Sequence, residues 1–163
     1  MGLKLKLKPT KIYFFILMSN QSVHFMSNKM NWATPKSFYD KINQEFNFTL
    51  DACAEEWNKK CDNYFSKEDD ALTKDWTGNV FMNPPYGKEI PKFVKKAYEE
   101  SQKNANVVVG LIPARTDTKW FHDWVLDKAE IRFIKGRIRF EHEKGVSGSA
   151  SFPSLLVIWK SEN

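Results

Sequence analysis

Apolar residues recur at two different spacings along this chain, and each spacing predicts its own kind of element. Phe38, Ile42 and Phe46 return every fourth position, and Thr34 followed by Pro35 reads as a cap with proline at the first helical position. A helix over about 35–45 is therefore predicted, after which Phe46 to Leu50 reads as a short strand running into Asp51. A stretch rich in Lys, Asp and Asn reaches Asp75, and a Gly78-Asn79 turn leads into a strand from Val80 to Met82. Pro91 opens a helix with Phe93, Val94, Ala97 and Tyr98 on one face, and Val107 to Ile112 is an uninterrupted apolar run suited to a strand covered on both faces. Asp117 or Thr118 can cap a helix containing Trp120, Phe121, Trp124 and Val125. Strands follow at about 130–134 and 137–141, then a Gly- and Ser-rich loop from Gly145 to Ser151 and a last strand from Leu155 to Trp159. Strands alternating with helices predict an α/β fold with a mostly parallel sheet, and the close strand-loop-strand ending predicts an antiparallel C-terminal hairpin at its edge.

At 163 residues the chain suits one domain, assigned to residues 30–163, with residues 1–29 a poorly ordered tail or an added strand. The tail carries Lys4, Lys6, Lys8 and Lys11 ahead of the apolar run Ile12 to Met18. That run falls far short of the ~20 residues that span a bilayer, so no membrane partner is expected. Met18, Met26 and Met30 each precede the first patterned block and are alternative starts. The net charge of +5 fits a polyanionic partner, although the tail lysines supply much of it. Cys53 and Cys61 lack zinc-site spacing and are too few for a disulfide framework, which favours a reduced, intracellular protein. His24, His122 and His142 show no metal-ligand spacing, and no metal is expected.

The candidate chemistry lies where the Val80–Met82 strand ends, in Asn83-Pro84-Pro85-Tyr86. An exocyclic amino group on a planar ring is a poor nucleophile because its lone pair is delocalised. An amide oxygen and the following carbonyl can accept its two hydrogens while an aromatic ring stacks on the base. Pro84 and Pro85 offer no competing N–H and hold φ near about −65°. Asp51, also at a strand's carboxyl end, lies where open α/β sheets bind ligands. Arg115 follows the third apolar strand and suits a phosphate, while Asp117 needs to do no more than cap a helix. Arg137 and Arg139 alternate with Ile138 and Phe140, so both should share one face.

Asn83-Pro84-Pro85-Tyr86 resembles the catalytic motif of amino-group methyltransferases that modify adenine N6, cytosine N4 or a glutamine amide. Trp32-Ala33-Thr34-Pro35, Leu50-Asp51-Ala52-Cys53-Ala54, Asp69-Asp70-Ala71-Leu72, Pro113 to Thr118 and Gly136 to Phe140 narrow it. Taken in order, these blocks resemble the small phage-type, Dam-like DNA N6-adenine methyltransferases. The resemblance implies a compact Rossmann-like class I methyltransferase using S-adenosylmethionine on double-stranded DNA in the cytoplasm of a bacterial host. It implies catalytic Asn83, Pro84, Pro85 and Tyr86, and a cofactor site of Trp32, Thr34, Asp51, Ala52, Cys53 and Asp70, with Asp69 and Asp75 competing for the last role. It also implies DNA contacts by Arg115, Arg137 and Arg139. Glu55-Glu56-Trp57 stands where the family's glycine-rich turn is expected. Methylation of cytosine N4, RNA adenine or a glutamine amide remains an alternative, as does a catalytically silent nucleic-acid binder.

Overall fold

The computed structural model describes residues 32–143, 145 and 148–161; the expectations for the N-terminal tail lie outside these residues. In chain order the elements are α1 (Lys36–Phe46), β1 (Leu50–Asp51), β2 (Gly78–Met82), α2 (Ile90–Ser101), β3 (Ala105–Pro113), α3 (Lys119–Trp124), β4 (Glu130–Phe133), β5 (Arg139–Phe140), β6 (Gly148–Ser149) and β7 (Ser154–Lys160). The main sheet has the order β1-β2-β3-β7-β4. β1, β2 and β3 pair in parallel, and β7 is antiparallel to both β3 and β4, so β7 alone opposes the common direction. This is the mostly parallel α/β sheet that the alternating pattern predicts.

Its antiparallel part is arranged differently from a hairpin at the edge. The last strand is inserted between β3 and β4, while the 137–141 segment leaves the main sheet and pairs as β5 with β6 in a separate ribbon. Burial explains the choice. Ser154 to Trp159 are all buried, and such a strand is best covered on both faces and both edges, whereas β4 leaves Phe133 48% exposed and suits an edge.

Side-chain alternation divides the core into two layers. Val80 and Met82 join Val108, Ile112, Leu155 and Trp159 under Phe93, Val94 and Ala97 of α2 and Phe121 of α3. Phe81, from between those two, joins Val109, Leu111, Leu156 and Ile158 under Phe38, Ile42 and Phe46 of α1. Burying each such side chain is worth roughly 1.5–3 kcal/mol before entropy is counted. Gly110, at the middle of β3, faces the first of these layers, between Met82 and Trp159. A Cβ built there would lie 2.8 Å from Met82 Cε and 2.9 Å from Trp159 Cζ3.

Two local expectations are corrected. Thr34 does not cap α1: the helix starts one residue later with Pro35 in the cap position, whose carbonyl accepts from the Phe38 and Tyr39 N–H groups. Phe46 does not begin a strand, because its helical spacing carries it into the core with Phe38 and Ile42. Asn47 then ends the helix at φ 49°, leaving β1 only two residues. Across the sheet, Arg132 of the edge strand makes a bidentate pair with Glu45 of α1, at 2.6 Å for each bond, and reaches Glu130 at 2.8 Å. No helix of the described residues is long and apolar enough to cross a membrane.

Candidate active site

Parallel pairing sets Asp51 beside Phe81, so β1 and β2 end together and deliver Asp51 and Asn83 to the same carboxyl-terminal margin of the sheet. A cleft of about 600 Å³ opens there. Trp32, Ala52, Cys53, Asp70, Asn83, Pro84, Pro85 and Tyr86 all line it, which brings most of the anticipated site together from four separate stretches of chain. Thr34 and Asp51 stand behind it, each 2% exposed, around an adjoining recess of about 10 Å³ shared with Trp32, Cys53 and Asn83. That recess has the size of a single water molecule.

Asn83 is fixed at one end only. Its Nδ2 donates to the Trp32 carbonyl at 3.1 Å, while its Oδ1 is buried and has no hydrogen-bond partner among the described residues. Because a carbonyl accepts and never donates, the NH₂ end must face Trp32 and the oxygen must face the other way. Thr34 Oγ1, relieved of any capping duty, is a second buried oxygen without a partner among the described residues. Leaving such groups unsatisfied costs about 1–3 kcal/mol each, which marks this corner as one built for something besides folding.

Asp51 receives the Cys53 N–H on one oxygen at 3.3 Å and the Lys60 N–H on the other at 3.0 Å. Burial nevertheless pushes its carboxyl up from 3.8 to about 6, outweighing these two bonds and the Lys60 charge. A buried carboxylate held in this way favours a cation close by. Burial also pushes the Cys53 thiol well above its ordinary value, helped by the Asp51 charge, so Cys53 is no nucleophile.

Tyr86 donates its hydroxyl to the Leu111 carbonyl at 3.2 Å and meets Trp32, Phe140 and Phe152 edge-on at 6.1, 5.9 and 5.3 Å. Burial raises its ionisation out of any useful range. The ring is a wall of the cleft rather than an acid or base.

Of the competing acids, Asp70 lines the cleft, with its backbone at φ 51°. Asp69 spends its carboxylate on the Ser66 N–H and hydroxyl, both at 2.8 Å. Neither Asp69 nor Asp75 lines the cleft. The missing glycine turn is a turn of another kind, in which Asn58 Oδ1 accepts the Glu55 N–H at 2.7 Å while Ala52 and Ala54 keep the floor small. The sequence reading missed Phe65, Leu72 and Phe93 as an apolar cleft wall. Phe65 is an isolated aromatic in an otherwise polar stretch, and that was the available signal.

The three arginines do not line the cleft. Arg137 and Arg139 are exposed while Ile138 and Phe140 are buried, as their alternation predicts, and Arg115 is exposed beyond the end of β3. Phe140 stacks on Trp32 at 5.3 Å, so the β5–β6 ribbon that carries Arg139 stands against the Tyr86 wall. His122 bonds the Thr116 carbonyl, and His142 meets Trp32 edge-on. Among the described residues no group of three or more His, Cys, Asp or Glu side chains is placed to hold a metal ion.

A sheet whose strand ends meet in a cleft walled by Asn-Pro-Pro-Tyr defines an enzyme of the amino-group methyltransferase class. The profile of the DNA N-6-adenine-methyltransferase (Dam) family matches residues 21–163, and the chain belongs to that family. The DNA N-6-adenine-methyltransferase of Haemophilus phage HP1 is 38% identical over 140 residues, covering 82% of this chain and 80% of that protein. That of Escherichia phage T1 is 34% identical over 129 residues, covering 76% of this chain and 53% of the relative. A solved Pyrococcus horikoshii structure, a candidate RNA methyltransferase, aligns with a TM-score of 0.42 at 16% identity over 80% of this chain and 60% of that one.

Proposed function

We propose that this chain transfers a methyl group from S-adenosylmethionine to the N6 amino group of an adenine in double-stranded DNA, with Asn83, the carbonyl of Pro84 and Tyr86 as the reactive corner. The observation that carries this reading is the Asn83 amide, whose oxygen is buried, without a partner among the described residues and turned away from the Trp32 carbonyl. An acceptor desolvated in advance is worth more to a developing positive nitrogen than one that must first shed water.

The residues present fit the cofactor. The cleft volume lies within the usual 300–1,000 Å³ for a small-molecule site. Asp51, just behind the cleft, suits an ammonium in front of it, through the one-water recess, and Thr34 beside the start of α1 suits a carboxylate in the same way. Ala52 and Cys53 leave room for close approach, Phe65, Leu72 and Phe93 offer an apolar wall for a purine, and Asp70 offers an acceptor at its rim. The cofactor supplies an electrophilic methyl group on a sulfonium sulfur.

The chain's own residues do the rest. A paired adenine cannot bring N6 into this cleft, so the base must leave the stack, at a cost of a few kcal/mol. Tyr86 stacks on the extruded ring. Asn83 Oδ1 and the Pro84 carbonyl take its two amino hydrogens and draw the nitrogen toward a tetrahedral shape. Arg115, Arg137 and Arg139 hold phosphates and carry no sequence information by that means. The reaction takes place in the cytoplasm of a bacterial host, in keeping with the phage relatives.

Incubation with unmethylated duplex DNA and methyl-labelled cofactor, followed by nucleoside analysis, tests the reading. Label in N6-methyl-2′-deoxyadenosine is expected; label only in N4-methyl-2′-deoxycytidine, or none in DNA while parallel incubations label RNA or protein, would overturn it.

A further inference from the structure

We infer that the backbone carbonyl of Trp32, clamped by the stacking of its own indole, is the positioning group that fixes which way round the Asn83 amide lies. The inference rests on the methyl-transfer reading for its consequence, but its geometry stands apart. An amide side chain has nearly the same shape after a half-turn that exchanges its oxygen and nitrogen. Only a neighbour that is solely a donor or solely an acceptor breaks that symmetry. Here the neighbour is the Trp32 oxygen, 3.1 Å from Nδ2, and the half-turned amide would set two acceptors against each other.

The carbonyl is itself held from both sides. The Trp32 ring stacks on Phe140 at 5.3 Å and 27°, and on Phe152 at 5.8 Å and 16°. The next residue, Ala33, exchanges two backbone hydrogen bonds with Glu141, both at 2.9 Å. Asn83 therefore takes its orientation, through a carbonyl 51 residues away in sequence, from the same ribbon that exposes Arg139. Position 83 then requires a side chain that donates to Trp32 and accepts from the substrate, which an amide does and a carboxylate does not.

The test is a pair of substitutions in the full chain read by turnover, cofactor binding and nuclear magnetic resonance. Trp32→Ala should lower kcat about tenfold or more while lowering calorimetric S-adenosylmethionine affinity by a clearly smaller factor, the part due to its indole as a wall of the cleft. Trp32→Phe, which keeps a stacking ring, should restore most of the loss. In an Asn83→Asp background, where the Trp32 oxygen faces an acceptor, Trp32→Ala should leave the residual kcat unchanged or raise it. Equal losses in the two backgrounds, or a loss of cofactor affinity matching the loss of kcat, would overturn the inference. The Asn83 side-chain NH₂ should exchange slowly with solvent in the wild type and Trp32→Phe, and fast in Trp32→Ala with circular dichroism unchanged. That readout needs no activity. Slow exchange in Trp32→Ala would sink the positioning role even if methyl transfer is confirmed, and a wild type inert toward DNA would sink the methyl-transfer reading while leaving the exchange result to decide this one.

Discussion

At the scale of single residues the site is defined by buried oxygens with unequal company. Asn83 Oδ1 has no partner among the described residues, whereas both Asp51 oxygens accept backbone N–H groups. Asn83→Ala should abolish methyl transfer with cofactor affinity kept within several-fold, as measured by calorimetry beside a labelled-methyl assay. Asp51 predicts a pH signature. Its folded value of about 6 exceeds the ordinary 3.8, so ionising it destabilises the ligand-free fold as pH rises from near 3.8 through about 6. A bound ammonium has the opposite preference. S-adenosylmethionine affinity should fall as pH drops below about 6, and Asp51→Asn should flatten that dependence; calorimetry between pH 5 and 8 would show it. Tyr86→Ala should weaken binding to DNA with an unpaired target adenine by roughly 1–3 kcal/mol of lost stacking.

Elements were legible in the sequence to the degree that their signals were local. The alternation of Arg137 and Arg139 with Ile138 and Phe140 gave the face of each side chain correctly, because period two needs no partner strand to be read. The start of α1 was misread by one residue. Thr34 has the chemistry of a cap, but its hydroxyl is buried beside Asp51 and Asn83, a tertiary circumstance that no window around residue 34 contains. The β5–β6 ribbon is where an element-scale prediction belongs. Removing the charges of Arg137 and Arg139 together should weaken DNA binding almost uniformly across sequences and reduce the slope of log affinity against log salt by about 2, measured by titration at several ionic strengths.

On the scale of the whole molecule the sheet order was the least legible feature. Local pattern shows that 154–160 is a buried strand, but not that it enters between two strands laid down earlier. That insertion is decided by which strand most needs cover. The cleft was legible where Asn83 to Tyr86 line it, since that motif is contiguous, and partly along the wall where Ala52, Cys53 and Asp70 were anticipated. Phe65 and Phe93 were not, since the first lies in a polar loop and the second reads as ordinary helix core.

Gly110 links this architecture to the reaction at a distance. Met82, which a methyl group at position 110 would strike, is the residue next to Asn83, and on the other side the indole of Trp159 is wholly buried and rigid. Gly110→Ala would then act like a shim driven under the rail on which the amide rides. The variant should lose about 1–3 kcal/mol of stability to overpacking. Its turnover should fall further than its melting temperature suggests, making one of the smallest side chains in the core a distant guardian of alignment in the cleft.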